Sequence, residues 1–499
     1  MRLPRRGGRE ICTRVAILLA CGAGLSACVV GPDYHRSELT LSQYWGSSSE
    51  AHSATAPDLS RWWQRLGDPT LDALIDEAVL GNLDVATAKA KIRQARASYK
   101  EAGGVLLPAV EATASATRSR STANSGAVAG AFSDEQNQFQ AGFDASWEVD
   151  LFGANRRSLE AARYGLDAAQ EDLRATLLTL VGDVAQSYLE ARGYQARIDL
   201  GLRTAAAQRE TAALTESKYR TGSASAVDVA KAAGLASSTE AQVQALQSAY
   251  AQDVHRLSVL LGREPTALSA KLAFPAPVPD PPGLIPIGVP ADVLRARPDV
   301  RRAERQLAQS TAKIGVAEAA RYPSVSLTGS IATSGAKLGD LAKASSISWS
   351  FGPSLTIPIF QGGQLKGAVE LAQAQRDQSY LGWRAAVLTA LEDVEDASVA
   401  LNQERTRKER LAESAKAYGE AARLASALYR NGSTGSLEVL DAERSLYSAE
   451  DSLVASQVAV ATDYVALNKA LGGGWDGAVD AAPPEVADSN TGPHLPPAP

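Results

Sequence analysis

Four segments of the chain alternate between apolar and polar residues with a period of two. Segment 139–151 has Phe, Ala, Trp, Val and Leu at its odd positions and Gln, Gly, Asp, Ser and Glu at its even positions. Segment 347–359 repeats this alternation, and shorter partners lie at 110–117 and 325–331. Strict alternation predicts β-strands with one apolar and one polar face. Such strands suit either a sheet between lipid and a water-filled lumen or a half-buried sheet in a soluble sandwich.

Long stretches between these segments follow helical spacing instead. No proline occurs between about Asn155 and Tyr219, and apolar residues recur there at intervals typical of a coiled-coil seam. A helix of about 65 residues would be close to 100 Å long, which suits a tube or a rod better than a globular core. The predicted seam positions are Leu166, Leu173, Leu177, Leu180, Val184, Tyr188, Val243, Leu246, Tyr250, Val254, Leu257, Leu261, Leu381, Leu388, Leu391, Val394, Leu453, Val460, Tyr464, Leu467 and Leu471.

Three landmarks recur in the same order in the two halves of the chain. The segment 218–223 returns as 428–433, and the pattern of 143–153 returns as 351–360. The dipeptides Leu107-Pro108 and Tyr322-Pro323 also correspond, and each opens a predicted strand. This order predicts a tandem duplication in which each half supplies a helix, two strands and two long helices.

Four strands per chain are too few to close a membrane barrel, for which about eight is the minimum. Past residue 27 the chain has no run of about 18 apolar residues, so any membrane crossing must use strands. Open sheet edges are not tolerated in lipid. A barrel must therefore be shared between copies, and this reasoning leaves open whether two or three copies share it.

The N-terminus has the order of a secretory signal peptide. Five arginines precede an apolar run at 15–20, and small residues lead to Leu25-Ser26-Ala27-Cys28. That tetrapeptide looks like a bacterial lipobox, which predicts lipid on Cys28; the alternative is an ordinary cysteine near a plain cleavage site. Cleavage would leave Cys28 as the only cysteine and move the formal charge from −6 to about −10. An acidic chain argues against a nucleic-acid partner.

These observations divide the chain into six predicted segments. They are a lipoprotein signal peptide (1–27), a lipidated N-terminal segment (28–70), a first repeat (71–270), a proline-rich linker (271–290), a second repeat (291–472) and a polar, proline-rich C-terminal tail (473–499).

Enzymatic chemistry has little support in the sequence. The four histidines are scattered without metal-ligand spacing, and the chain has no glycine-rich phosphate loop. We therefore expect no catalytic residue, no metal site and no cofactor other than the covalent N-acyl and S-diacylglycerol lipid on Cys28.

Dispersed motifs along nearly the whole mature chain resemble the outer membrane factor (TolC-like) family, most closely its NodT/OprM/CusC-type lipoprotein branch. The motifs are Trp62-Trp63-Gln64, Asp68-Pro69, Arg297-Pro298-Asp299-Val300, Gly352-Pro353-Ser354-Leu355, the segment 437–447 and the segment 468–475.

The resemblance implies an α+β membrane protein. Three protomers with four strands each would form a twelve-stranded β-barrel, continued by a long α-helical periplasmic barrel. Residues 28–70 and 271–290 would form an equatorial belt around it, and residues 473–499 would be an equatorial or disordered tail. The implied partners are two further copies of the chain, a periplasmic adaptor (membrane fusion) protein, an inner-membrane transporter of the resistance-nodulation-division (RND) type and outer-membrane lipid. The implied function is the passive exit duct of a tripartite efflux pump for drugs or other toxic small molecules.

The narrowest point of the duct is expected at its periplasmic tip, where the paired long helices turn near Gly222 and Gly432. Glu438 and Asp441 are three residues apart, so they share a helix face and would form acidic rings that favour cations. By resemblance, Asp441 matches a selectivity-ring aspartate and Leu437 an apolar constriction. Asp228 and Tyr429 match a tyrosine–aspartate link between neighbouring helices that holds the closed state. The alternative is that these residues only solvate a helical turn.

Two further readings of the chain stay open. A duct for type I protein secretion uses the same implied architecture, and a helical structural lipoprotein would need no pore.

The arginine latch of TolC is absent, because Thr434 occupies that position and Arg430 lies nearby. The sequence does not identify the cargo.

Overall fold

A computed structural model of the protein describes residues 29–36, 45, 59–121, 134–283 and 290–474. The predicted signal peptide, the lipidation residue Cys28 and the C-terminal tail beyond Gly474 lie outside the described residues.

The two halves of the chain contain the same order of elements. The first half runs α1 (Pro69–Gly81), α2 (Leu83–Gly104), β1 (Ala109–Ser121), β2 (Asp134–Val149), α3 (Ala154–Arg220) and α4 (Ala226–Leu260). A short helix, α5 (Ser269–Leu272), follows. The second half runs α6 (Pro290–Ala296), α7 (Pro298–Ala319), β3 (Ser324–Gly335), β4 (Ile347–Thr356), α8 (Gln364–Arg430) and α9 (Ser436–Ala470). Short 3-10 helices lie at Trp62–Leu66, Leu338–Ala342 and Ala344–Ser346.

The long helices match in length as well as in order. Helices α3 and α8 each contain 67 residues, and α4 and α9 each contain 35. At 1.5 Å per residue, a 67-residue helix is about 100 Å long. None of the helices in the described ranges combines the length and the apolar character that crossing a membrane would require.

Local capping explains where two of the helices begin. The side chain of Asp68 accepts hydrogen bonds from the backbone N–H groups of Thr70 and Leu71, and Pro69 occupies the first position of α1. The carboxylate of Asp150 accepts from the N–H groups of Asn155 and Arg156 at 3.2 and 2.9 Å, at the start of α3. In both cases a carboxylate satisfies amides that have no partner inside the helix.

The chain divides into two compact units, and the first contains the sheet. Its four strands are antiparallel in the order β1-β2-β3-β4. Phe143 pairs with Ile331, which pairs with Trp349, and this row of apolar side chains is exposed. The neighbouring row joins Asp144, Ser330 and Ser350. The predicted apolar and polar faces are therefore both present.

The strand bounds differ from the alternating segments in two ways. β1 and β3 extend beyond 117 and 331, whereas β2 and β4 end before Leu151 and Ile359. The alternation continues past β4, but the pairing of β4 ends at Thr356, whose partner Ser324 is the first residue of β3.

The second unit is a helical core built from predicted seam residues. Leu173, Leu177 and Val184 of α3 are buried, as are Val243 and Leu257 of α4. Tyr464 of α9 is fully buried, and its ring contacts that of Trp62 edge-on, with the centroids 5.9 Å apart. The tryptophans at 62 and 63 therefore contribute to local packing of the helices.

Part of the seam prediction for α8 is wrong for the single chain. Leu381 and Leu388 are each 62% exposed, although their spacing predicts a covered face. Spacing identifies a face that prefers burial but does not identify the helix that covers it. Within the described residues, no helix of the same chain covers these two side chains.

Candidate functional site

The candidate site is the pair of tight turns that connect the long helices of the second unit. Gly222 follows α3 with a φ of +79°, and Gly432 follows α8 with a φ of +78°. The next residue in each turn donates its N–H to a carbonyl of the last helical turn, Ser223 to Lys218 at 2.8 Å and Ser433 to Leu428 at 2.9 Å. Glycine adopts this left-handed conformation without a steric penalty.

The helices that leave the two turns begin differently. Ser225 caps α4, and it forms a capping box with Asp228, in which each side chain bonds the backbone N–H of the other residue. Gly435 occupies the corresponding position before α9 and provides no side-chain cap. The repeat therefore preserves the backbone turn and changes the chemistry at the helix start.

Asp228 connects the two turns as well as capping its own helix. Its Oδ1 accepts a 2.6 Å hydrogen bond from the hydroxyl of Ser436, the first residue of α9. Its Oδ2 accepts from the N–H and the hydroxyl of Ser225 at 2.9 and 2.7 Å. These bonds, that of Ser436 first and then those of Ser225, lower the pKa of Asp228 to about 2. Asp228 is therefore charged at physiological pH.

Tyr429, at the end of α8, is held by side chains of α3. Its hydroxyl is buried 2.9 Å from the hydroxyl of Thr215, which itself donates to the carbonyl of Thr211 at 2.8 Å. Because a threonine hydroxyl has one hydrogen, Tyr429 is the donor to Thr215. The Nζ of Lys218 donates to the carbonyl of Tyr429 at 2.6 Å and lies 4.3 Å from the centroid of its ring. This amine adds a cation–π contact.

The structure gives Asp228 and Tyr429 different partners from the one implied by the family resemblance. Within one chain, Asp228 bonds Ser225 and Ser436, and Tyr429 bonds Thr215 and Lys218. Two links, Asp228–Ser436 and Tyr429–Thr215, thus join the first half of the chain to the second. A direct bond between Asp228 and Tyr429 stays a prediction for the assembled protein.

The three predicted residues of α9 are exposed. Leu437 is 63% exposed, and Glu438 accepts a hydrogen bond from the hydroxyl of Thr434. Asp441 forms an exposed ion pair with Arg444, one turn further along the helix. An exposed ion pair of this kind is weak, but Arg444 reduces the net negative charge of this face. The sequence reasoning missed Arg444, although its spacing of three from Asp441 signals the pair.

A buried polar layer near the turns was also missed. Glu443 of α9 accepts a 2.6 Å hydrogen bond from the hydroxyl of Thr211, and its Oε2 is buried without a partner. Gln208 accepts a 2.7 Å hydrogen bond from Thr239 and is 1% exposed. Burial raises the pKa of Glu443, and the charge of Glu210 raises it further. A carboxylate inside a helix seam is costly, which marks it as a candidate for a conformational role.

The predicted lipidation residue receives no structural description. Cys28 lies outside the described residues. Over the parts of the chain that the structure covers, no group of three His, Cys, Asp or Glu side chains is arranged to hold a metal ion.

Comparison with known proteins places these features in a family. The profile of outer membrane efflux proteins matches residues 74–263 and 289–473. Nodulation protein T of Rhizobium leguminosarum bv. trifolii is 34% identical over 459 residues, which cover 91% of this chain and 96% of that protein. The probable efflux pump outer membrane protein TtgC of Pseudomonas putida is 32% identical over 456 residues, covering 90% and 93% of the two chains. The structure of the outer-membrane channel OprN, 33% identical, superposes with a TM-score of 0.83 over 90% of this chain and all of that one. The chain therefore belongs to the outer membrane efflux protein family.

Proposed function

We propose that this protein is the outer-membrane channel of a tripartite RND-type efflux pump and serves as the passive exit duct for drugs or other toxic small molecules. Its place is the bacterial outer membrane, with the helices extending into the periplasm. The observation that carries the proposal is the combination in one chain of a two-faced sheet and two 67-residue helices that end in connected turns. Membership of the family along most of the chain agrees with this function.

A trimer best accounts for the surfaces that a single chain leaves open. β1 and β4 each pair with only one strand in the described sheet, and an unpaired edge is unstable in lipid. Three copies would close a barrel of twelve strands, with Phe143, Ile331 and Trp349 facing lipid. Leu381 and Leu388 would be covered by a helix of the neighbouring copy.

The pump requires two further proteins. A periplasmic adaptor would surround the helical end of the channel, and an inner-membrane RND transporter would supply the energy. The channel itself would carry no cofactor apart from lipid on Cys28, for which the lipobox Leu25-Ser26-Ala27-Cys28 is the support. The N-acyl and S-diacylglycerol chains on Cys28 would together anchor the N-terminal segment, and the barrel would add a second attachment to the membrane.

The turns that hold Asp228 and Tyr429 would form the periplasmic aperture. Opening it requires the first and second helix pairs to separate at their ends, which would break the bonds Asp228–Ser436 and Tyr429–Thr215. Leu437, Glu438 and Asp441 would then line the passage, where acidic side chains favour cations.

Measurements on a deletion strain and on the purified protein test the proposal. Loss of the gene should increase ethidium accumulation and antibiotic susceptibility, and the plasmid-borne gene should restore both. Purified protein in planar bilayers should form channels. A strain with normal susceptibility that no longer secretes a protein substrate would instead assign the duct to type I secretion. Protein that inserts without conductance would contradict any channel function.

A further inference from the structure

The first described segment of the chain, residues 29–36, docks closely against the junction between β2 and α3. The N–H of Val30 donates a 3.1 Å hydrogen bond to the carbonyl of Phe152. Val29 lies against Gly153, where an added Cβ would be 2.8 Å from a methyl carbon of Val29. We call residues 29–36 the strap.

Arg157 on the first turn of α3 holds this strap. Its side chain is only 5% exposed, and its Nε and Nη2 donate to the carbonyls of Val30 and Gly31 at 3.2 and 3.1 Å. Nη2 also donates to Asp33 at 2.7 Å, and Nη1 to Glu160 at 2.7 Å. A buried guanidinium needs such partners, and three of the four are provided by the strap.

Glycines allow the strap to approach this closely. Gly31 has a φ of +89°, and a Cβ there would lie 2.4 Å from the Cα of Gly315. A Cβ on Gly315 would in turn lie 2.8 Å from Cγ of Arg157. Any larger residue at 31 or 315 must displace either the strap or Arg157.

The far end of the strap is fastened by a second buried charge. Glu304 of α7 is 4% exposed and accepts a hydrogen bond from the hydroxyl of Tyr34 at 3.1 Å. Its Oε1 also lies 3.2 Å from Nε of Arg36. Ordered contacts thus run along the length of the strap.

The near end of the strap lies beside apolar side chains at the ends of the strands. The ring of Phe152 stacks on that of Tyr322, with their centroids 4.7 Å apart. Tyr322 is 44% exposed, and Leu107 and Phe360 in two other strand–helix turns are 68% and 89% exposed. Exposed aromatic and apolar residues at the ends of membrane strands are typical of the lipid–water interface.

We infer that Arg157 is a positioning residue for the lipid anchor: it docks the strap so that the lipid on Cys28 enters the membrane beside Phe152 and Tyr322. The inference rests on the proposed lipidation of Cys28. Consecutive Cα atoms are about 3.8 Å apart, so a lipid on Cys28 starts next to Val29. The docked strap therefore brings the lipid to the level of the bilayer at which Phe152 and Tyr322 lie.

Limited trypsin digestion of the purified, lipidated protein tests the docking. Arg157→Gln should release the peptide that ends at Arg36 about tenfold to 100-fold faster than the parent, because opening of the strap no longer breaks charge-assisted hydrogen bonds. Gly31→Ala keeps the arginine at position 157 but places a Cβ against Gly315, and it should also accelerate release. Arg163→Gln removes an exposed arginine of the same helix and should release the peptide at the parental rate.

These outcomes distinguish a role of Arg157 in docking the strap from a role in folding. They also test the lipidation of Cys28 independently of both. Release at the parental rate in both Arg157→Gln and Gly31→Ala would overturn the inference. Loss of the oligomer in Arg157→Gln, together with parental release in Gly31→Ala, would assign Arg157 to the fold and also overturn it. The mass of the released peptide reports the lipid independently, so an unmodified Cys28 would reject the proposed lipidation whatever the release rates.

A fluorophore on Tyr322→Cys tests the membrane level. In vesicles that contain brominated phosphatidylcholine, bromine atoms near the headgroup should quench it more strongly than bromine atoms at the chain ends. A fluorophore on Arg423→Cys, on an exposed position of α8, should not be quenched. Equal and weak quenching at both positions would contradict the proposed entry level of the lipid.

Discussion

The hydroxyl of Ser436 donates a 2.6 Å hydrogen bond to the carboxylate of Asp228 and joins the first residue of α9 to the first turn of α4. The two residues are 208 positions apart and belong to the two repeats. Asp228 is held in place by Ser225 of its own helix. The carboxylate that accepts from Ser436 is therefore oriented by contacts within the first repeat.

Removal of this bond should loosen the closed aperture. Ser436→Ala is expected to cost about 1 kcal/mol per protomer, less than for a buried charged hydrogen bond because Asp228 is partly exposed. The resting conductance of purified channels in planar bilayers should rise. Asp228→Ala with Tyr429→Phe should raise it further and admit large antibiotics into cells.

Ser433→Ala is the matched control, because Ser433 is an exposed serine in the same turn. It should conduct like the parent. Parental conductance in Ser436→Ala and in the double variant would place the gate elsewhere.

The pKa of Asp228 predicts how the resting conductance depends on pH. The pKa is lowered to about 2, below the ordinary value of about 3.9. The bonds to Asp228 therefore stabilise the aperture fully above about pH 4 and lose this contribution as the pH falls through about 2. Conductance measured in a pH series should be flat from about pH 5 to 8 and rise only in strong acid. A transition centred near neutral pH in the Asp228-dependent component would contradict this assignment.

The contribution of Glu443 to stability should depend on pH in the opposite direction. Its pKa is raised by burial, so the folded state holds its proton more tightly than the unfolded state. Stability is greatest at low pH and falls as the pH rises from the ordinary pKa towards the raised one. Glu443→Gln keeps an acceptor for Thr211 and should stabilise the protein by about 1 kcal/mol at pH 8, with little effect near pH 4. Thermal unfolding at both pH values measures this, and the exposed Glu438→Gln should change neither.

Ion selectivity should respond in opposite directions to the two members of the pair Asp441–Arg444. Asp441→Ala removes a negative charge from the proposed passage and should lower cation selectivity and weaken block by multivalent cations. Arg444→Gln removes the opposing charge and should raise cation selectivity. Reversal potentials in a salt gradient measure both effects, and Arg423→Gln serves as the control. Shifts of the same sign would show that the pair does not line the passage.

Charged substitutions in β2 should separate by face. Phe143→Arg puts a charge on the proposed lipid face, where arginine costs about 2–4 kcal/mol at mid-membrane depth, and should impair assembly. Asp144→Arg, on the polar face, should assemble and mainly change conductance.

Light scattering in detergent should report a trimer for the parent and for Asp144→Arg. A folded monomer of the parent would contradict the shared barrel, and a dimer or tetramer would contradict three copies.

The sequence by itself determined the elements of this protein and the faces of its strands. Alternation around Phe143 and Asp144 depends only on the period of a strand, and a proline-free stretch of helical spacing predicts a helix wherever it occurs. The turns at Gly222 and Gly432 were likewise readable, because a left-handed residue after a helix is a local requirement.

Only the tertiary structure decided which residues meet across the fold. The bonds Asp228–Ser436 and Tyr429–Thr215 join positions more than 200 residues apart. The local sequence around a hydroxyl or a carboxylate does not identify such a distant partner. The docking of Gly31 on Gly315 and the burial of Arg157 depend in the same way on how distant helices lie together. Leu388 illustrates the same limit of a sequence pattern. Its spacing predicts that a partner covers it, yet it is exposed among the residues that the structure describes, because periodicity records the preference for burial and not the surface that provides it.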